Sequence, residues 1–540
     1  MSWNRDFLGA LSSSSISLEW ALQFVNVANH LGQEYTIHSN RGHPQIDTSG
    51  ISIAGSRVIP QRWNVSFGGF SVQIVGNLRK CLPYIRKGQI AVLYCRVIGS
   101  TDFERIAIGQ LDTLSGFRGR FQMTFRDLLS ALQNSLDTRA GTAFSSSDPP
   151  RFNLFYAVGQ TRNITSALGT SDSTLTVSSN SVFKKHSGTA SIPTRGMIKI
   201  TPVSGDPDFY VFWTGTSGSN DITGISTVTN RGGSRVSAEV GSTATYIAFA
   251  ENQPWDILGS IITSTGTASA NGPLDIFPRE WSVGGYISRD LFDFADASKQ
   301  ASYIKRSDNG VYEWGLAIES PLTNGIRSIV DIGTLGGQWP VYRQGKISWR
   351  GCSDPDEVDS EISGGAPVAQ IGDQDIIEIL SHDFFNPDIS NIYRTTRIVY
   401  NQAGSGKFSG GVYDGDRVDT LPALATIQRD NNLYYLHDRG GVDNSETMAL
   451  GDLRRMRRWD LYISERLVLR VSLKFAGLVA GDVVEISSRY LYGLLEPQNR
   501  TFRGKRAMVT ACDFDFDNQR CVLTLCIPSR KTKQTTDTEA

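Results

Sequence analysis

Two stretches at opposite ends of the chain decide how it is read. Residues 87–97, KGQIAVLYCRV, are followed by residues 104–125, ERIAIGQLDTLSGFRGRFQMTF; residues 480–490, AGDVVEISSRY, are followed by residues 502–527, FRGKRAMVTACDFDFDNQRCVLTLCI. Each opens with Gly at a strand entrance, runs through a hydrophobic strand, turns through a charged loop and closes in a long hairpin. The match is one of pattern, not of identity. It predicts two β-barrel domains of one type at the two ends of the polypeptide.

Outward from these stretches the chain continues to read as β. Phe67–Val75 and Ile376–Leu380 carry β-branched and aromatic residues in short runs between Gly or charged residues. Helical periodicity is scarce. It is strongest at Arg126–Leu136, where Leu128, Leu129, Leu132 and Leu136 share a face, and at Pro254–Thr263, where Trp255, Leu258, Ile261 and Ile262 do. The expected fold class is mainly β with minor α, multidomain. From Thr165 the composition shifts to Ser, Thr and Gly, with strand-sized islands at Thr174–Val177, Met197–Ile200, Phe209–Trp213, Ile222–Val228 and Ala244–Ala248. Such islands at regular spacing predict a small sandwich or barrel. The organisation expected is a first barrel domain at 1–164, an inserted β module at 165–250, and a mixed α/β domain at 251–345. A second barrel-type domain follows at 346–460 with a mobile Gly- and Asp-rich loop at 401–419, then a closing β domain at 461–530 and a disordered polar tail at 531–540.

Composition narrows the function. The chain has 540 residues, 39% hydrophobic and 20% charged, with 53 Lys plus Arg against 54 Asp plus Glu. A net charge of −1 excludes a whole-chain basic field for holding nucleic acid. No run approaches 18 apolar residues, so no helical membrane span is expected, and the first residues lack a secretory pattern. The six cysteines, Cys81, Cys95, Cys352, Cys512, Cys521 and Cys526, contain no CxxC pair and read as buried reduced thiols, which fits a reducing compartment.

The common catalytic and binding patterns are incomplete in this sequence. His38 and His43, five apart before a Pro, give a weak zinc signal with no Cys nearby and read as exposed loop residues. Gly404-Ser405-Gly406-Lys407 lacks the Gly and the hydroxyl that a phosphate loop needs, since Asn401 and Phe408 stand there. It reads as a hairpin loop. Asp513, Asp515 and Asp517 alternate with Phe514 and Phe516, which places three carboxylates on one strand face. Clustered carboxylates serve calcium or glycoside hydrolysis, although a solvated face beside a turn is commoner. Cys512, Cys521 and Cys526 gather in the closing hairpin, Cys512 and Cys521 on one face, but a cluster needs four thiolates. Arg454, Arg455, Arg457 and Arg458 form the one dense basic cluster, read as an interface or solvated face. No catalytic, cofactor or metal residue is assigned from the sequence.

The order of these segments resembles the tail hub proteins of bacteriophages, the baseplate or tail-tip hub family. RWNVSFGGFSVQIVG, KGQIAVLYCRV and AIGQLDTLSG are similar to the opening hub barrel. STLTVSS, GMIKI, FYVFWTG and VGSTATYIAF are similar to β modules inserted in these proteins, and NQPWDILGSIITSTG and FPREWSVGGYI to the segment that follows. LVLRVSLKFAGLVAGDVVEISS and MVTACDFDFDNQRCVLTLCI are similar to the closing barrel. The resemblance implies two tail-tube-like barrels and a homotrimeric, non-enzymatic symmetry adaptor in the virion, assembled in the host cytoplasm. Three copies would set six barrels in a ring between the sixfold tail tube, or a distal tail protein, and a threefold central fibre or spike. The tape-measure protein would be a further partner, and outgoing phage DNA would pass the lumen without sequence-specific binding. Some long-tail hubs carry an iron–sulfur cluster on four cysteines; three gather here, so no cofactor is carried over. A virion glycan-binding adhesin, or a tail-spike or cell-wall hydrolase, is the competing class. A secretion or contractile-injection hub shares the expected fold.

Overall fold

The structure, a computed structural model, describes residues 5–11, 17–28, 34–42, 44–59, 64–66, 68–78, 85, 87–128, 159–183, 195–232, 234–252, 314–319, 330, 338–343, 346–351, 367–384, 395–402, 408–415, 426–430, 433–435, 464–494, 501–515, 518 and 520–528. Strands dominate, as the sequence predicts. A short helix, α1 (Arg5–Leu11), precedes β1 (Leu18–Ala28), β2 (Glu34–His38), β3 (Gln45–Ile53), β4 (Phe70–Val75), β5 (Ile90–Val97), β6 (Glu104–Phe117) and β7 (Arg120–Arg126). Across the sheet they run β2-β1-β5-β6-β7-β4-β3. In β4 burial alternates strictly, with Phe70, Val72 and Ile74 inward. Phe70 stacks on Phe125 of β7 with ring centroids 4.4 Å apart. Arg118 and Gly119, at φ of 51° and 82°, make the two-residue turn from β6 to β7, the left-handed pair that matches strand twist in a tight hairpin.

The middle of the chain builds a separate core. β8 (Gly196–Thr201), β9 (Phe209–Trp213) and β10 (Thr243–Asn252) lie adjacent, in the order β9-β8-β10. All five residues of β9 are buried, because Phe209, Val211 and Trp213 enter one hydrophobic cluster and Tyr210 and Phe212 another. A strand covered on both faces reads as a continuous apolar run, and FYVFW is one. Thr161–Asn163 also pairs with β10, whose far end pairs with Trp314–Ile318, which in turn pairs with Leu433–Tyr435. This sheet therefore draws strands from both sides of the 165–250 segment. The Ile222–Val228 island divides into Asp221–Thr223 and Ser226–Gly232 around Gly224, whose φ is 69°.

A buried hairpin, β11 (Gln338–Arg343) with β12 (Lys346–Gly351), comes next. The chain continues through β13 (Ala369–Gly372), β14 (Ile376–Phe384), β15 (Ser464–Ser472), β16 (Val483–Tyr492), β17 (Thr501–Asp515) and β18 (Arg520–Pro528), ordered β13-β16-β17-β18-β15-β14. The outermost strands, β13 and β14, are consecutive and separated by Asp373–Asp375, so the sheet curls until its two edges lie one turn apart. Asp373 is held by Arg489 (3.1 Å) and Asp375 by Lys474, which pins that turn.

Three expectations are corrected. The terminal sheets do not close as separate barrels among the described residues. Ile53 of β3 pairs with Phe514 of β17, which merges both into one thirteen-stranded sheet over one continuous core. Arg126 ends strand β7 rather than beginning a helix: its backbone pairs with Gln110 and its guanidinium donates to the Gln110 Oε1 (3.1 Å). Residues 408–415, expected in a loop, form a strand antiparallel to Thr395–Gln402. The Pro254–Thr263 helix, and the Arg126–Leu136 helix beyond Leu128, lie outside the described residues.

Candidate assembly surface

The two terminal sheets are one ladder used twice. β4–β7 and β15–β18 follow each other on the chain in the same sense and pair in the same order. Equivalence can be read pair by pair. Gly88, at φ 86°, donates its N–H to the Leu111 carbonyl (2.8 Å), and the Leu111 N–H donates to the Gln89 carbonyl (2.7 Å). Gly481, at φ 91°, donates to the Val509 carbonyl (2.7 Å), and the Val509 N–H donates to the Asp482 carbonyl (2.8 Å). Both Gly residues admit the left-handed turn that starts the strand. The β6–β7 register slips once, between Leu111 and Thr113; the β17–β18 register slips once, between Val509 and Ala511. Beyond this shared bulge Leu114 stands for Cys512, Ser115 for Asp513, Gly116 for Phe514 and Phe117 for Asp515. Phe70 likewise stands for Leu467, since each pairs with the residue equivalent to the other's partner, Phe125 and Leu525. β3 lies on β4 as β14 lies on β15, and Ile53 stands for His382.

The units meet where Ile53–Arg57 crosses Cys512–Phe514. A methyl group at Gly55 would come within 2.4 Å of the Cys512 carbonyl oxygen, so only glycine allows that approach. Arg57 donates to Asp513 (2.8 Å). The hairpin β11–β12 wedges against both units. Leu128 N–H donates to the Tyr342 hydroxyl (2.7 Å) and Tyr342 N–H donates to Ser56 Oγ (3.1 Å) on the first unit. Arg350, fully buried, donates from Nε to Asp482 Oδ1 (2.9 Å) on the second, and Asp482 Oδ2 accepts from Val479 N–H (2.9 Å). A cleft enclosing about 680 Å³, its open mouth included, lies at this junction among Ile53, Gly69, Ile108, Tyr342, Leu478 and Phe514.

The sequence candidates fall as follows. Asp513 is an ion-pair partner of Arg57 at the junction; Asp517 and the side chain of Asp515 lie outside the described residues. Cys512 and Cys521 do share a face, and burial pushes the Cys512 thiol up, with Cys521 beside it. Cys526, one step off that alternation, points to the other face. Among the described residues no group of three metal-ligating side chains forms. His38 is not an exposed loop residue: it ends strand β2, half-buried, with Arg41 donating to its Nε2 (3.1 Å) and Glu19 3.8 Å from Nδ1. Burial and then Arg41 hold its pKa below the ordinary histidine value. His43, Gly404–Lys407 and Arg454–Arg458 lie outside the described residues. Sequence reasoning missed Gly55, Arg57, Tyr342 and Arg350. These residues belong to no motif and acquire meaning only across the junction.

No family model matches the chain, and no curated protein does. Among solved structures it is similar to the tail protein from Neisseria meningitidis MC58, at 10% identity over 94% of this chain and 96% of that one, TM-score 0.39. It is similar to the 43 kDa tail protein of prophage MuSo2 from Shewanella oneidensis, at 9% identity over 94% and 98%, TM-score 0.36. A chain of the virion of a native gene transfer agent particle matches at 15% identity over 45% and 84%, TM-score 0.20. All three scores lie below 0.5, and the functional reading rests on the repeated ladder within the chain itself.

Proposed function

We propose that this chain is a structural protein of a phage tail, a homotrimeric tail-tip or baseplate hub that joins a sixfold tube to a threefold fibre or spike. The observation that carries the reading is the repeated unit: one chain holds two copies of one ladder, with the same strand order, the same glycine entrance and the same bulge. Three such chains present six equivalent ladders, which is the count a sixfold ring needs, while the parts between the units occur three times. Symmetric closed assemblies follow from such repetition. In this reading the protein acts by shape and interface area, with permanent contacts of more than about 2,000 Å². Its partners are the tail tube or distal tail protein above, the fibre or spike below, and the tape-measure protein and DNA that pass the lumen. No helix of the described residues is long and apolar enough to cross a membrane.

The hydrolase reading requires an acid–base carboxylate pair. Asp513, its first candidate, is engaged with Arg57 where the two units join, which favours a structural role. Sedimentation of the purified chain, alone and with tail partners, tests the proposal: a species of three times the 59.3 kDa chain is expected. A stable monomer inside assembled particles sinks it. Turnover of cell-wall or capsular polysaccharide that Asp513→Ala abolishes would instead establish the enzyme.

A further inference from the structure

We propose that the outer edge of β14 docks on the far half of β6 of a second copy, repeating between chains the contact that β3 makes with β17 within one. This rests on the trimeric reading and names its interface. Inside the chain, β17 parts from β16 after Met508, which opens the edge at Cys512–Phe514, and β3 fills it at Ile53↔Phe514. β6 parts from β5 at the equivalent place, after Gln110, and among the described residues nothing pairs with the edge at Leu114–Phe117 on that side. β14, the equivalent of β3, pairs with β15 alone among the described residues. Among the described residues each copy thus carries one open socket and one open strand whose equivalents are already joined within it.

Exposure differs between the two places. Cys512 is 2% exposed, its thiol turned to the Phe475 carbonyl, whereas its equivalent Leu114 is 37% exposed and Phe117, three residues on, is 74% exposed. β14 bares Ile377, Ile379, Leu380 and Phe384. A long apolar edge strand is a hazard that folded proteins leave open only where another strand covers it. The occupant is a second copy because strand addition of this kind is already the way the two units of one chain join. Equivalence sets the register, antiparallel, with His382 opposite Gly116 and Phe384 opposite Leu114. Phe384 stands where Gly55 stands, so the close crossing at Gly55 is excluded and the copies meet at ordinary ladder spacing. Socket and strand are different surfaces, so the contact is heterologous and runs from copy to copy until a ring closes.

The test is a cysteine pair in the full-length chain, Leu114→Cys with Phe384→Cys, both at exposed positions, oxidised and run without reductant beside the wild type. Directly opposed strand positions bring two Cβ atoms within disulfide reach. Covalent dimers and trimers are expected from the double variant, dimers only from a mixture of the two single variants, and none from either single variant alone. Ile379→Asp, with an unchanged melting temperature, should lower the oligomer fraction about tenfold or more. An oligomer that forms without the cross-link, or Leu114→Cys joining to itself, overturns the interface and spares the trimer. Cross-linking in an assembly of another copy number supports the interface and overturns the trimer. A chain that stays monomeric when its tail partners are present overturns both.

Discussion

Leu114 and Cys512 occupy the same position of the same ladder and have opposite surroundings. Gly55 meets the backbone of Cys512, whose thiol is buried and turned to the Phe475 carbonyl; Leu114 is exposed beside Phe117. The same contrast separates β3, whose outer edge reaches the second unit, from β14, whose outer edge pairs with nothing described. The ladders are alike; what differs is which edges the rest of the chain happens to cover. A duplicated unit within one polypeptide therefore leaves one joined junction and one open pair of surfaces, and the open pair shows where a copy would go.

The comparison can be strained at matched positions. The largest effect is expected at the strand entrances. Asp482→Ala leaves the fully buried Arg350 without its carboxylate and should cost about 3–5 kcal/mol in urea unfolding. Its equivalent, Gln89→Ala, removes only a hydrogen bond to the Val25 carbonyl and should cost about 1 kcal/mol. Equal losses would show that the entrances are energetically equivalent and that the β11–β12 hairpin adds nothing to the second unit.

Glycine replacement separates backbone strain from crowding. Gly88→Ala and Gly481→Ala both force a side chain into the left-handed region, at about 1–2 kcal/mol each. At Gly481 the new methyl would also lie 2.4 Å from Arg350 Cβ, whereas at Gly88 the nearest atom, Gln110 Nε2, is 3.4 Å away. Overpacking should add about 1–3 kcal/mol to the Gly481 variant alone. Thermal denaturation of the two variants side by side measures the difference.

Smaller still, Asp513→Ala breaks a half-exposed pair with Arg57 and should cost no more than about 1 kcal/mol, and Ser115→Ala at the equivalent position close to nothing. The slightest effect concerns pH. His38 is held below its ordinary pKa by burial and by Arg41, so the unfolded chain binds its proton more readily. Stability should therefore fall as pH drops through about 6.5 toward the lowered folded value, and remain flat above it. His38→Gln should remove that slope in urea titrations at a series of pH values; an unchanged slope would assign it to other groups.

Much of this was readable beforehand because it is local. FYVFW at 209–213 coincides with β9 to the residue, and the long hairpins at 104–126 and 501–528 follow from hydrophobic strand runs broken by a charged turn. The match of 87–125 to 480–527 was visible as pattern, and the ladder turned it into residue-by-residue equivalence. Arg126 misled because a run of leucines after it suggested a helix, while its backbone was already paired to Gln110. The polar residues after His38 read as a loop and mask the strand that His38 ends. Gly55, Arg57 and Arg350 carry no signal, since their partners lie more than a hundred residues away.

The sequence by itself determined the strands, the turns and the fact that one ladder occurs twice, because side-chain alternation and the φ preferences of glycine act over a few neighbouring residues. Only the tertiary structure decided that Ile53 reaches Phe514, that both sheets share one core, and that no described strand pairs with the outer edge of β14 or the far half of β6. The reason is physical. Two ladders with the same local pattern are indistinguishable until distant segments pack against one of them and leave the other exposed.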